Sequence, residues 1–218
     1  MAGFSRTEPL FSKQPSFHYF KMDVSRTEQL SSVFDEAVQI IKADQATELL
    51  FIYNAGVIQP IGQMGTLKAN DISRHYTVNV IAPTVLSNAF IHFSQQLPAI
   101  KRIALITSGA ANQPLSGWTC YSSAKAGMNM LVQAISQEQT AVDIPIRICG
   151  FNPGIMDTDM QADIRNQNKQ DFPQLERFQA FHKEGHLRPA HHVAEALTKC
   201  LTNTSFPDGE ITDVQTYL

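Results

Sequence analysis

Charge is scarce in this chain. Asp, Glu, Lys and Arg make up 17% of its 218 residues, against about 25% in an ordinary globular protein. Much of the surface must therefore be neutral-polar or buried in an assembly. The net charge is −3 and no basic block stands out, so neither a nucleic acid nor an anionic membrane has electrostatic support as a partner. Cysteine is equally sparse. Cys120, Cys149 and Cys200 stand far apart, without metal-ligand spacing, and read as reduced thiols of a cytoplasmic protein. His191 and His192 are adjacent, but no carboxylate or Cys pattern accompanies them, so no metal is expected. No apolar run reaches membrane-spanning length, and residues 1–10 hold no signal-peptide core. Repeats, linkers and low-complexity tracts are also missing. A single domain over residues 1–218 is the expectation.

What the chain does have is alternation of strand and helix. Residues 2–7 read as the end of a strand and a polar turn. Residues 16–24 alternate apolar and polar and read as a strand ending at Asp23. Ser25-Arg26-Thr27-Glu28 has the form of a capping box, opening a helix to about Ala43. Residues 48–54 are almost continuously apolar, as in a parallel strand covered on both faces. Asn70 or Asp71 caps a long helix to about Gln96, with a kink expected at Pro83. A strand over 101–108, a helix over 118–142 and a strand over 144–151 follow. Residues 160–185 are polar, helical in pieces around Pro173, and read as a segment covering substrate. Pro189 opens a helix to about Thr202, and 210–214 form a last short strand. This order predicts an α/β fold with a mostly parallel sheet.

In such sheets ligands bind beyond the carboxyl ends of the strands. Asp23, Asn54-Ala55-Gly56, Ser108 and Asn152-Pro153-Gly154 all fall at such ends. Tyr121 and Lys125, four apart, share one helix face just after the strand that ends at Ser108. A neighbouring Lys⁺ favours the phenolate of a Tyr, which can then exchange a proton with a carbonyl or alcohol oxygen held by a hydroxyl. That trio suits interconversion of C=O and CH–OH with hydride from a cofactor. Taken alone, Tyr-x-x-x-Lys is also the spacing of a solvated helix face, and Asn79 among apolar residues also reads as a satisfied core amide.

The ordered set Asn54-Ala55-Gly56, Asn79, Ser108, Tyr121-x-x-x-Lys125 and Pro153-Gly154 with Thr158 resembles the short-chain dehydrogenase/reductase family over residues 5–214. The resemblance implies a Rossmann-like doubly wound parallel sheet and an NAD(P)H-dependent oxidoreductase. It implies a catalytic tetrad: Tyr121 as acid/base, Ser108 orienting the substrate oxygen, Lys125 on the nicotinamide ribose, and Asn79 positioning a water. It also places Asp23 and Val24 at adenine, Asn54, Ala55 and Gly56 along the cofactor, and Pro153, Gly154, Met156 and Thr158 at its nicotinamide end. Gly117-Trp118-x-x-Tyr121-x-x-x-Lys125-Ala126 and residues 153–160 are similar to the sepiapterin reductase and benzil reductase-like group. That likeness implies NADP(H), with Ser5 and Arg6 at the 2′-phosphate. It also implies a ketone, diketone or pterin side chain as small-molecule carbonyl substrate, near Trp118 and Asp213. A homodimer or homotetramer through the helices bearing Asn79 and Tyr121 is implied as well.

One family element has no counterpart here. The first strand, the Gly-rich phosphate loop and the first helix are absent, because residues 1–7 align with the second strand. Losing a central strand leaves backbone groups of its neighbours unpaired, and losing the loop removes the main pyrophosphate site. Three outcomes are open: a piece of a longer reductase, movement of residues 1–5 into the vacant strand position, or a fold that closes differently. The alternative to an active reductase is a truncated or degenerate reductase-fold protein that does not bind cofactor on its own.

Overall fold

Six short strands, each parallel to its neighbours, form two separate sheets in the computed structural model, which describes residues 1–41 and 45–218. β1 (Ala2–Ser5) pairs with β2 (His18–Lys21). β3 (Glu48–Tyr53), β4 (Ile100–Ile106), β5 (Arg147–Asn152) and β6 (Ile211–Asp213) pair in that order. The helices are α1 (Leu30–Ile41), α2 (Ala69–Tyr76), α3 (Ala82–Ser94), α4 (Thr119–Gln139), α5 (Asp159–Arg165), α6 (Leu175–Lys183) and α7 (Ala190–Thr202). The expected parallel α/β architecture is present.

The apolar run of β4 explains why the larger sheet is covered on both sides. Ile103 and Leu105 join a core with Leu30 of α1, Leu86 and Phe90 of α3, and Met128 and Val132 of α4. Ala104 and Ile106 point the other way, into a second core with Val193, Ala196 and Cys200 of α7. Alternate residues of one strand thus serve opposite faces.

β3 departs from the expectation of double coverage. Leu49 and Tyr53 are buried, but Leu50 and Ile52 remain 41% and 43% exposed. Residues 2–5 do not move into a position beside β3, because they are held by β2. Among the described residues no ladder joins β1 to β3. A cleft of about 450 Å³ lies between them, walled by Ala2, Phe4 and Ser5 on one side and by Phe51, Ile52 and Tyr53 on the other. Phe34 of α1 spans the gap, with its ring 6.4 Å from Phe4 and 6.5 Å from Phe51.

Two local expectations are corrected. The capping box does not form. The Ser25 hydroxyl instead donates to Asp23 Oδ1 at 2.8 Å, and a 3₁₀ turn over Thr27–Gln29 leads into α1 without a side-chain cap. The expected end of that helix near Ala43 lies outside the described residues. The irregularity of the long helix sits before Pro83 rather than at it: Thr77–Ile81 form a π-helical turn between α2 and α3, with Ala82 N–H donating to Thr77 O. A proline ring crowds the carbonyl four residues back. For Pro83 that residue is Asn79, and the wider turn falls there.

Candidate active site

Every strand of the larger sheet delivers its carboxyl end to one edge. After β3 come Asn54, Ala55 and Gly56. After β4 the chain passes through Ser108, whose Oγ accepts from Ala110 N–H at 3.2 Å. β5 ends at Asn152, whose side chain is held twice. Its Oδ1 accepts from Gly154 N–H at 3.1 Å, and its Nδ2 donates to Asp213 Oδ2 at 2.7 Å. Gly154 takes φ +69°, and a Cβ there would meet Arg188 Nη1 at 2.6 Å, so the turn needs glycine.

A cavity of about 330 Å³ opens at this edge. Its walls include Asn54, Gly56, Ser108, Trp118, Tyr121, Lys125, Pro153, Gly154, Met156 and Thr158. Ser108, just after β4, and Tyr121 and Lys125, one turn apart on α4, therefore line one cavity. The Lys125 Nζ lies 5.8 Å from the centre of the Tyr121 ring and donates to Ile106 O at 2.8 Å. Burial pushes the Tyr121 phenol up, and the Ser108 side chain beside it works in the opposite direction. Burial pulls the Lys125 ammonium down to about 8.

Asn79 stands behind this cavity rather than in its wall. It is fully buried. Its side chain pairs with the backbone of Val57, Oδ1 accepting from N–H at 3.2 Å and Nδ2 donating to C=O at 2.9 Å. A Cβ on Gly56 would come within 3.2 Å of Asn79 Oδ1 and 3.7 Å of Lys125 Nζ. Glycine at 56 thus lets the chain lie against both residues.

Sequence reading missed His75, one helical turn before Asn79. Its Nδ1 is 2.7 Å from Gln59 O, so Nδ1 carries the proton, and Asn79 Nδ2 reaches Nε2 at 3.1 Å. Burial, with Lys125 nearby, holds this imidazole below its ordinary pKa. The i,i+4 spacing from Asn79 was the available signal. Tyr53 donates its hydroxyl to Val78 O at 2.6 Å.

The cavity and the β1–β3 cleft share Asn54 and Gly56 as a common wall. Ser5, Arg6, Asp23 and Val24 line the far end of the cleft. The Asp23 carboxyl is held below its ordinary value, first by the Ser25 backbone and side chain, then by Arg6 and Arg26. Arg6 and Asp23 thus line the cleft, and Ser108, Tyr121 and Lys125 the cavity that adjoins it at Asn54 and Gly56, which leaves room for an elongated ligand across both. Of the two residues expected at the substrate, Trp118 lines the cavity and Asp213 does not. The Asp213 carboxylate is engaged by Asn152 Nδ2 and by Gln215 N–H.

The profile of the short chain dehydrogenases matches residues 6–169. The chain belongs to the short chain dehydrogenase family. This is a family of oxidoreductases that work with a nicotinamide cofactor. The chain is 34% identical over 198 residues to the benzil reductase ((S)-benzoin forming) of Bacillus subtilis (strain 168), covering 91% of this chain and 81% of that protein. It is 27% identical over 212 residues to the sepiapterin reductase of Meriones unguiculatus, covering 94% and 79%. A short chain dehydrogenase/reductase from Saccharomyces cerevisiae shares its fold, with a TM-score of 0.83 at 21% identity over 98% of this chain and 84% of that one. The KRED1-Pglu enzyme does so too, with a TM-score of 0.82 at 22% identity over 97% and 88%.

The buried Lys125 gives the chain a testable pH signature. Its ammonium lies at about 8 when folded, below the ordinary 10.5. Below pH ~8 both folded and unfolded chains hold the proton, and burying the charge costs stability. Between about pH 8 and 10.5 the unfolded chain holds more protons, so stability rises with pH by linkage, on the order of 3 kcal/mol in full. Lys101 shifts the same way, and Tyr121, whose phenol is raised above its ordinary 10, subtracts stability from about pH 10 upward, where the unfolded chain loses that proton first. The comparison is therefore with Lys125→Met. Urea midpoints are expected to climb more steeply over this window in the parent than in the variant. Equal slopes would mean that Lys125 is not desolvated.

Proposed function

We propose that this chain is an NADPH-dependent carbonyl reductase acting on a ketone, diketone or pterin side chain. The observation that carries it is the meeting of Ser108, Tyr121 and Lys125 in one cavity. Bound NADPH supplies the hydride. Tyr121 gives its proton to the carbonyl oxygen while Ser108 holds that oxygen by a hydrogen bond. Lys125, fixed on Ile106 O, favours the phenolate left behind and offers a donor to the cofactor's ribose. Asn79 keeps residues 56 and 57 pressed against Lys125 and takes part in returning a proton through water. Pro153, Gly154, Met156 and Thr158 hold the nicotinamide end, with Asn54, Ala55 and Gly56 along the middle. Asp23 and Val24 take adenine. Arg6, beside Ser5, takes the 2′-phosphate, which a guanidinium forks onto well. The names of the benzil and sepiapterin reductase relatives support the substrate class.

The rival reading, a reductase fold that does not bind cofactor by itself, is favoured by the unpaired edges of β1 and β3. Thermal-shift titration with NADPH and NADH separates the two. A ligand that binds only the folded state adds about 2.7 kcal/mol at a hundredfold excess over its dissociation constant. A saturable shift larger for NADPH, with NADPH oxidation on adding a diketone, is expected. A cooperatively melting sample that responds to neither cofactor overturns the proposal.

The assembly is proposed as a homodimer or homotetramer through α2, α3 and α4. Ile81, just ahead of α3, and Met130 on α4 are 45% and 61% exposed. Light scattering that finds only monomer overturns this. The three cysteines are free and buried, Cys149 and Cys200 with sulfurs 4.0 Å apart, which suits a reducing cytoplasm. No helix among the described residues is long and apolar enough to cross a membrane.

A further inference from the structure

The walls of the catalytic cavity carry charge of one sign. Lys125 and Arg177 line it, and no Asp or Glu does. Arg177 stands exposed on α6, its guanidinium 5.4 Å from the centre of the Phe181 ring. Among the described residues no carboxylate pairs with it. The acid next to it on the helix, Glu176, is bound to Lys169 at 2.7 Å.

Two buried donors in the same walls also lack partners. Among the described residues Trp118 Nε1 and Gln161 Nε2 have no hydrogen-bond partner, although their residues are only 4% and 3% exposed. Native proteins rarely leave buried donors unmade. Both residues border the cavity. The surroundings are aromatic. Trp118 is stacked on Phe172 at 4.9 Å and 11°, and Phe178 meets Trp118 edge-on at 5.1 Å.

We propose that Arg177 anchors an anionic group of the substrate, so that the cavity prefers aromatic ketones bearing a carboxylate, such as aryl α-keto acids, over neutral ketones of the same shape. The proposal rests on the reading of this cavity as a carbonyl-reducing site. The charge asymmetry selects the carboxylate, and the rings take the aryl group.

Trp118 is the single tryptophan of the chain, so its fluorescence reports binding without turnover. Titrations compare benzoylformate with methyl benzoylformate, which differ by one charge. The acid is expected to bind about tenfold more tightly, the scale of one charge-assisted contact. That advantage shrinks as salt screens it. Arg177→Gln is expected to bring the acid down to the affinity of the ester, and Arg177→Lys to restore part of the difference. Equal binding of acid and ester, no quenching by either, or equal losses for both in Arg177→Gln overturns the proposal. So does a loss confined to NADPH in that variant, which would assign the guanidinium to cofactor phosphate. Preferential binding of the acid without NADPH oxidation keeps the anchor and rejects the reductase reading. Oxidation of NADPH without preference does the reverse.

Discussion

Tyr121→Phe is expected to lower kcat with a diketone by about a thousandfold, within the span that general acid–base groups supply, while Tm stays within a few degrees of the parent. The ring does the packing. It lies edge-on to Trp118 at 5.4 Å and to His75 at 6.2 Å, and phenylalanine keeps both contacts. The hydroxyl is the part with chemistry. It is shielded from water, its proton is held more tightly than in free tyrosine, and Ser108 is the neighbour that eases its loss. Removing it leaves the carbonyl oxygen with the Ser108 hydroxyl but no proton source. Steady-state kinetics beside a thermal melt check this. A variant with full turnover would show that the proton comes from elsewhere. A variant that melts far earlier would show that the hydroxyl is structural.

The second large effect is structural and concerns Gly117, immediately before Trp118. Its φ is +86°, and a Cβ there would lie 2.3 Å from Asp171 O and 3.3 Å from Asp171 C. Both are backbone atoms and cannot swing aside. Its own carbonyl accepts from Gly62 N–H at 3.0 Å, so the turn is tied down from two sides. Gly117→Ala combines a left-handed conformation with a backbone clash, and a loss of about 3 kcal/mol is expected. Because Phe172 follows Asp171, relief of the clash separates the Trp118–Phe172 stack, and tryptophan emission should shift to the red. Gly127→Ala is the control. Glycine 127 lies mid-helix on α4 with nothing within 4 Å of the added carbon, and alanine there should stabilise by roughly 0.5–1 kcal/mol. Unchanged emission and stability in Gly117→Ala would mean that the loop at 171 yields freely.

The strand ends were legible because hydrophobic runs stop at polar or glycine residues, and parallel sheets gather those stops on one edge. Tyr121 and Lys125 were legible because four residues make one helical turn. Other features escaped because they depend on partners distant in sequence. Ser25 has the spacing of a cap, but Asp23 two residues earlier captures its hydroxyl. His75 looks like any polar residue on a helix until Gln59 O and Asn79 are seen on either side of its ring. The walls beyond Trp118 come from residues 160–185, where no period links Gln161 to Arg177. Asp213 lies at a strand end as expected, and its carboxylate is taken up by Asn152, a partner from the neighbouring strand that no local pattern announces.

The divided sheet has a consequence for cooperativity. Among the described residues no backbone hydrogen bond runs from β1 to β3, and the Phe4–Phe34–Phe51 line of rings bridges them. Opening that seam breaks side-chain contacts but no ladder. The first two strands are therefore expected to open as a unit at a lower free energy than the larger sheet, with amide protons of residues 2–5 and 18–21 exchanging faster than those of the β4 core. Anything that fills the seam would couple the two units into one.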